Sequence, residues 1–416
     1  MNLKKKTLFA FLFVLIICFP RCFAAELDHS EDFELNSLET STDISAEPSI
    51  NSRAAIVLEK STGAVLFGKH ENDIRKMAST TKIMTAIVVL ENVEDLSQVI
   101  TISKMAAGIG GSRLGLVSNA KVTINDLLYG LLLCSGNDAA IALAEFVGGN
   151  VEGFANLMNQ KALDLGLNNT HFVTPHGLDN NEHYTTAHEL ALLTKYALEN
   201  TTFCKIVETH SYTVTISGSP KAIHNTNELL GYCDGVYGVK TGFTNGANRC
   251  LVSSCKRGDL DIICVVLGAD TKKFRTQDSI KLIEYVFANF EMVDINSIIE
   301  ENFIRWQSES SDCFFVDKGI SNNIETYLET IPHSKYPVNK SNLKNIKTDI
   351  SCEYKFEAPL LANSKVGVLQ FLINDKNIFD LDIYTAKSVL KKNMMFYFNN
   401  FVKNYGIYLE SIFTDS

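Results

Sequence analysis

The stretch Met77-Ala78-Ser79-Thr80-Thr81-Lys82-Ile83-Met84-Thr85 runs straight into Ala86-Ile87-Val88-Val89-Leu90. The apolar run predicts the start of a helix buried on most sides. Residues i and i+3 of a helix share a face, so the Ser79 hydroxyl and the Lys82 amine are placed to meet. A buried lysine costs free energy unless something uses its amine. Activating a serine nucleophile is the use that fits this spacing.

Outward from this segment, Ala54-Ala55-Ile56-Val57-Leu58 and Ala64-Val65-Leu66-Phe67 flank Glu59-Lys60-Ser61-Thr62-Gly63, the pattern of a β-hairpin. On the other side, residues 124–133 read as a second buried helix ending near Ser135-Gly136-Asn137. Helices follow over 139–147 and 152–165, strand-like runs over 212–216, 250–254 and 260–267, and a helix over 277–290. Strands early and late around a helical middle predict an α+β domain, an antiparallel sheet with helices packed on its faces.

After about residue 295 the texture changes. Short alternating runs such as Cys352-Glu353-Tyr354-Lys355-Phe356 and Val366-Gly367-Val368-Leu369-Gln370-Phe371-Leu372 predict a small all-β domain. The tail places Val389, Leu390, Met394, Phe398, Phe401, Val402, Tyr405, Tyr408, Leu409 and Ile412 near helical spacing, with Lys391, Lys392 and Lys403 between them. Such a helix either docks on the protein's own surface or lies in a membrane interface. The aromatic content and the lysine flanks favour the interface, and no segment here is long and apolar enough to span a bilayer.

The N-terminus reads as a targeting segment. Lys4-Lys5-Lys6 precede an apolar run over 8–19, then Pro20 and the small-residue region Cys22-Phe23-Ala24-Ala25, which predicts a secretory signal cleaved after Ala24. Between Glu26 and Ser52 there is no Lys or Arg, while eight Asp and Glu are interspersed with Ser and Thr; this predicts a solvated acidic linker. A length of 416 residues predicts two folded domains. A net charge of −10 argues against a nucleic-acid partner. Eight cysteines follow the leader without any Cys-x-x-Cys spacing, so disulfides and buried free thiols both remain open.

Ser-x-x-Lys alone is a weak pattern. Ser135-Gly136-Asn137, however, puts two polar side chains at the end of an apolar helix that would not need them, and Lys240-Thr241-Gly242 precedes the strand near Cys250. The three occur in the order of the serine acyl-transfer enzymes that penicillin poisons. Together with Asn169-Thr170-His171-Phe172 and His176-Gly177-Leu178-Asp179, they make the chain resemble the low-molecular-mass penicillin-binding proteins, the serine D-alanyl-D-alanine carboxypeptidases.

That resemblance implies a β-lactamase/transpeptidase-like catalytic domain, a small C-terminal β-sandwich and an amphipathic helix on the outer face of the cytoplasmic membrane. The divisions expected are 1–24 signal peptide, 25–52 linker, 53–292 catalytic domain, 293–386 β-sandwich and 387–416 membrane-associating helix. Peptidoglycan stem peptides ending in D-Ala-D-Ala are the implied substrates, and β-lactams the implied inhibitors. Ser79 would be the nucleophile, Lys82 its base and Ser135 a proton relay. Asn137 would hold the substrate amide or Lys82, and Lys240 and Thr241 would take the free carboxylate. Gly242 would let a substrate strand lie against the backbone. The backbone N–H groups of Ser79 and Phe243 would form the oxyanion hole, and Arg275 would stand near the carboxylate pocket.

Cys134 reads as a thiol lining the site. His176, His183 and His188 with Asp179 and Glu182 make no known ligand set, so neither a metal nor a cofactor is expected. One departure stands out: Asn248 replaces the glycine usual before the strand, which points to an altered loop and substrate preference. An endopeptidase cutting cross-links would carry the same motifs. A β-lactamase would need a water-positioning Glu-x-x-Leu-Asn element, which is missing between Asn168 and His188. A silent wall-binding or β-lactam-sensing module would have little reason to keep Lys82 buried.

Overall fold

The structure, a computed structural model, describes residues 46–414, with side chains through Tyr405. The signal-peptide reading and most of the linker reading fall outside the described residues. β1 (Ala54–Glu59) and β2 (Val65–Lys69) form the opening antiparallel hairpin. A 3-10 turn over Ala78–Thr81 leads into α1 (Lys82–Asn92). Then come β3 (Val99–Thr101), α2 (Lys104–Gly108) and β4 (Lys121–Thr123). The helical middle holds α3 (Ile124–Leu132), α4 (Asn137–Gly148), α5 (Val151–Asp164), α6 (Ala187–Ala197) and α7 (Thr201–Glu208). After the hairpin β5 (Ser211–Ile216) and β6 (Ser219–His224) come β7 (Val236–Thr244), β8 (Asn248–Arg257), β9 (Leu260–Ala269) and α8 (Lys272–Asn289).

The main sheet is antiparallel throughout, in the order β2-β1-β9-β8-β7. β1 shows why it sits in the middle of the fold. Alternate side chains leave opposite faces of a strand, and here both faces are apolar. Ala54, Ile56 and Leu58 pack into the core with α1, α3 and α4, whereas Ala55 and Val57 pack with Leu282, Ile283 and Val286 of α8. Fully burying a side chain the size of Ile56, Val57 or Leu58 contributes roughly 1.5–3 kcal/mol, so the sheet is fixed between two helical layers.

Two readings shift. The strand expected over 212–216 is present, but β5 pairs only with β6 and stands apart from the main sheet. The Lys240-Thr241-Gly242 segment, read as leading into a strand, is itself a strand: β7, an edge strand of the sheet whose middle residues are buried. Gly238 and Gly242 lower its strand propensity, which hid it. The fold also begins earlier than the linker reading placed it. Ile50 is buried, and Ser52 donates through its N–H and hydroxyl to Asp278 at 2.7 and 2.6 Å.

The C-terminal region contains β10 (Phe290–Asp294), α9 (Ile295–Ser310), β11 (Phe315–Asp317), β12 (Thr326–Leu328), β13 (Lys335–Asn339), β14 (Ile346–Cys352), β15 (Lys355–Glu357), β16 (Lys365–Ile373) and β17 (Lys376–Thr385). Its largest sheet runs β12-β17-β16-β14. Helix α9 is an element the alternating pattern did not announce. Asp294 caps it, and Ile295, Ile299 and Phe303, four residues apart, lie against Leu369, Phe371, Leu381 and Ile383.

The tail forms α10 (Met394–Thr414). Its large apolar side chains Met394, Met395, Phe398, Phe401, Val402 and Tyr405 are exposed, so this helix does not dock on the protein's own surface there. No helix among the described residues is long and apolar enough to cross a membrane. All eight described cysteines are free thiols, which settles the question left open by their spacing.

Candidate active site

Ser79 lies in the 3-10 turn at the entrance to α1, and Lys82 is the first residue of the helix proper. The tighter turn still brings the pair together: Lys82 Nζ donates to Ser79 Oγ at 2.9 Å. Its two other donors go to Asn137 Oδ1 at 2.7 Å and the His176 carbonyl at 2.9 Å. Lys82 is wholly buried. Burial, then the charge of Lys240, hold its amine well below the ordinary lysine range, against the opposing pull of Cys134 and Asp138. Burial therefore eases the loss of one of these three protons, which is what would turn the amine into a base toward Ser79.

Three elements fix these groups. Asn137 opens α4, and its Nδ2 donates to the Gly110 carbonyl at 2.8 Å, so its oxygen is turned toward Lys82. Next to it, the fully buried Asp138 carboxylate accepts the N–H groups of Leu114, Gly115 and Leu116 at 2.7, 2.7 and 2.8 Å. That anchors the loop running past Gly110. The third element is the segment 175–178. Thr85 Oγ1 donates to the Pro175 carbonyl at 2.6 Å. Gly177 has φ +81, and a Cβ there would stand 1.9 Å from the Ala78 oxygen, so only glycine lets this segment lie on the serine turn.

His183 braces the same turn from behind. Its Nδ1 accepts the Val173 N–H at 3.0 Å, so the ring proton sits on Nε2 and is donated to Thr81 Oγ1 at 2.7 Å. Burial pushes His183 down to about 4 and His176 to about 3, and both rings are neutral. Two residues at the site hold left-handed backbone, Ala78 at φ +49 and Ser135 at φ +61. Each costs about 1–2 kcal/mol for a residue with a Cβ, and each is buried in packing that holds it.

β7 forms the opposite wall. Gly242 lies against the serine turn so closely that a Cβ would meet Ser79 N at 3.1 Å and Met77 O at 3.2 Å. Phe243 follows, its ring covered by the Arg249 guanidinium with 3.8 Å from Cζ to the ring centre. Lys240 is buried, and its Nζ donates to the Thr241 carbonyl at 2.9 Å. Burial pushes Lys240 down to about 7, opposed by the Cys134 thiol and reinforced by Arg275. Thr241 Oγ1 meets Thr226 Oγ1 at 2.7 Å. Cys134 itself is pushed up to about 11 by burial and the Asp138 charge, so it is a protonated thiol in the wall.

The structure adds detail to two expectations. Asn248 has φ +59, a left-handed conformation that asparagine tolerates better than most residues, so the β7–β8 turn closes without glycine. Asp179 secures that turn, accepting from Thr244 Oγ1 at 2.7 Å and Gly246 N at 2.8 Å. Arg275, in the first turn of α8, is buried and ion-paired with Glu228. Sequence reasoning missed Glu228, Asp138 and the His176 carbonyl. Asp138 had a signal, an acidic side chain inside an apolar helix, whereas a backbone carbonyl has none. No group of His, Cys, Asp and Glu among the described residues could hold a metal ion.

Residues 41–271 match the profile of the D-alanyl-D-alanine carboxypeptidase family, and residues 322–391 that of the penicillin-binding protein 5 C-terminal domain. The chain is 32% identical to D-alanyl-D-alanine carboxypeptidase DacF of Bacillus subtilis over 345 residues, 82% of this chain and 86% of that protein. It is 34% identical to DacC of Escherichia coli over 355 residues, 82% and 85% of the two chains. The crystal structure of the carboxypeptidase DacD from Francisella tularensis aligns with a TM-score of 0.68 at 27% identity, covering 86% of this chain and 99% of its own. With the family match spanning more than half the chain and these relatives covered over most of their length, the chain belongs to the D-alanyl-D-alanine carboxypeptidase family.

Proposed function

We propose that the protein removes the terminal D-alanine from peptidoglycan stem peptides through an acyl-enzyme on Ser79, and that β-lactams acylate the same oxygen. The observation that carries this reading is the buried Lys82 amine 2.9 Å from Ser79 Oγ. Neutral Lys82 takes the serine proton as Oγ attacks the carbonyl between the two D-alanines. The developing oxyanion is received by the N–H groups of Ser79 and Phe243. The C–N bond breaks, Ser135 passes a proton to the departing amine and is refilled by the one Lys82 took from Ser79, and D-alanine leaves. Water then attacks the ester, Lys82 takes its proton and hands it to Ser79 Oγ as the acyl C–O bond breaks, and the free enzyme is restored. Lys240 and Thr241 take the substrate's free carboxylate, and Asn137 keeps Lys82 aimed at Ser79.

Labelled penicillin tests the nucleophile. Wild-type protein should become covalently labelled and Ser79→Ala should not; equal labelling of the two would refute the assignment. Release of D-alanine from a peptide ending Lys-D-Ala-D-Ala separates an enzyme from a silent sensor.

The substrate places the reaction outside the cytoplasmic membrane, so the protein acts as an exported one. Helix α10, with exposed Met394, Phe398, Phe401 and Tyr405 beside Lys391, Lys392 and Lys403, suits a membrane interface. Deleting residues after 388 should release the protein from membranes, and retained binding would refute the anchor.

A further inference from the structure

Arg275 has 3% of its side chain exposed and is paired with Glu228, whose side chain is 16% exposed. Thr276 Oγ1 donates to the same Glu228 oxygen at 2.8 Å. The segment carrying Glu228 is fastened along β7. Asn227 Nδ2 donates to the Gly238 carbonyl at 2.8 Å, and Thr226 Oγ1 meets Thr241 Oγ1 at 2.7 Å. Glu228 thus stands two residues from a contact with Thr241, and Arg275 is close enough for its charge to act on Lys240. Burial raises the Glu228 carboxyl, but Arg275 and the surrounding hydrogen bonds outweigh it and keep the group below the usual range. Glu228 is therefore an anion, and the two charges cancel.

We propose that Glu228 sets the charge of the carboxylate pocket. It occupies Arg275 with an internal carboxylate, so the terminal carboxylate of a D-alanyl peptide or a β-lactam is read by Lys240 and Thr241 alone. This rests on the Ser79 reading above. Glu228 acts through Arg275 and is a specificity-determining residue outside the reacting atoms. An unneutralised Arg275 would strengthen ground-state binding of every carboxylate, including released D-alanine, without accelerating chemistry.

The test compares wild type, Glu228→Gln, Arg275→Gln and the double variant. It uses labelled penicillin and two peptides, one ending in D-alanine and one in D-alaninamide. Glu228→Gln keeps a hydrogen-bond acceptor for Arg275 but adds one net positive charge beside the pocket. For a unit charge acting through a partly screened interior, that should favour the D-alanine peptide over the amide by about five-fold, in KM and not in kcat. Arg275→Gln leaves Glu228 unneutralised and should slow penicillin acylation more than ten-fold, on the order expected for an unpaired buried charge. The double variant, neutral again, should recover most of that loss.

The peptide ratio is taken within each variant, so the folded fraction cancels. A double variant as slow as Arg275→Gln would show that Arg275 itself holds the substrate, and would overturn the proposal. So would an unchanged peptide ratio in Glu228→Gln while wild type is active. Wild-type protein that takes up no penicillin would instead refute the Ser79 reading.

Discussion

Replacing Asp138 with alanine tests how the site is held. The carboxylate is fully buried, and beside the adjacent Ala139 N–H its oxygens accept three N–H groups of the 114–116 loop at 2.7, 2.7 and 2.8 Å. Two of those bonds are buried and the third is partly so. A buried donor left without a partner costs about 1–3 kcal/mol. Two such losses and part of a third, offset by no longer burying a charge, come to roughly 3 kcal/mol. For a domain of this size that lowers the thermal midpoint by roughly 6–12 °C. Asp138→Asn should not rescue it fully, because its NH2 group would face backbone donors. The same substitution has a second, electrostatic signature. Asp138 favours the charged form of Lys82, so its removal lowers the Lys82 pKa further. The acidic limb of penicillin acylation in the surviving folded protein then moves to lower pH. Thermal unfolding by circular dichroism reads the first effect, and acylation rates against pH the second. A midpoint within 2 °C of wild type, or a limb that moves to higher pH, would refute the reasoning.

Three further outcomes follow from the geometry. Gly242→Ala places a methyl 3.1 Å from Ser79 N and 3.2 Å from Met77 O. It should cost about 1–3 kcal/mol by overpacking and slow penicillin labelling, and labelling at the wild-type rate would contradict the close approach of β7. Lys240, at about 7 in the free protein, loses its charge as pH rises through that value. KM for a D-alanine-ended peptide should therefore rise above about pH 7 while that for the amide stays flat, and parallel curves would count against the carboxylate role. His176 and His183 stay neutral in the folded protein down to about 3 and 4, whereas unfolded histidine titrates near pH 6.5. The unfolded state binds more protons across that window, so stability present above about 6.5 is lost as pH falls toward 4. His183→Gln should make this decline shallower, and an unaltered slope of midpoint against pH would show that other groups cause it.

By itself the sequence determined the local pieces. The pairing of Ser79 with Lys82 was legible because three residues of helical or 3-10 backbone bring both side chains to one face whatever surrounds them. The apolar runs 54–58 and 64–67 around Glu59-Lys60-Ser61-Thr62-Gly63 announced the opening hairpin, and the order of the three motifs announced the family. The helix α10 was legible from spacing, while the exposure of its apolar side chains came from the structure. Other features were decided only by the tertiary structure, because their partners are far apart along the chain. Asn137 reaches Lys82 across 55 positions, and Glu228 reaches Arg275 across 47. The third partner of Lys82 is a backbone carbonyl at His176, which any residue could have supplied. β7 became a strand because β8 gives it a ladder to join, despite glycines that weaken strand propensity. Burial also decided the electrostatics. The sequence names two lysines, but desolvation inside the folded site is what lowers both amines below the ordinary lysine range.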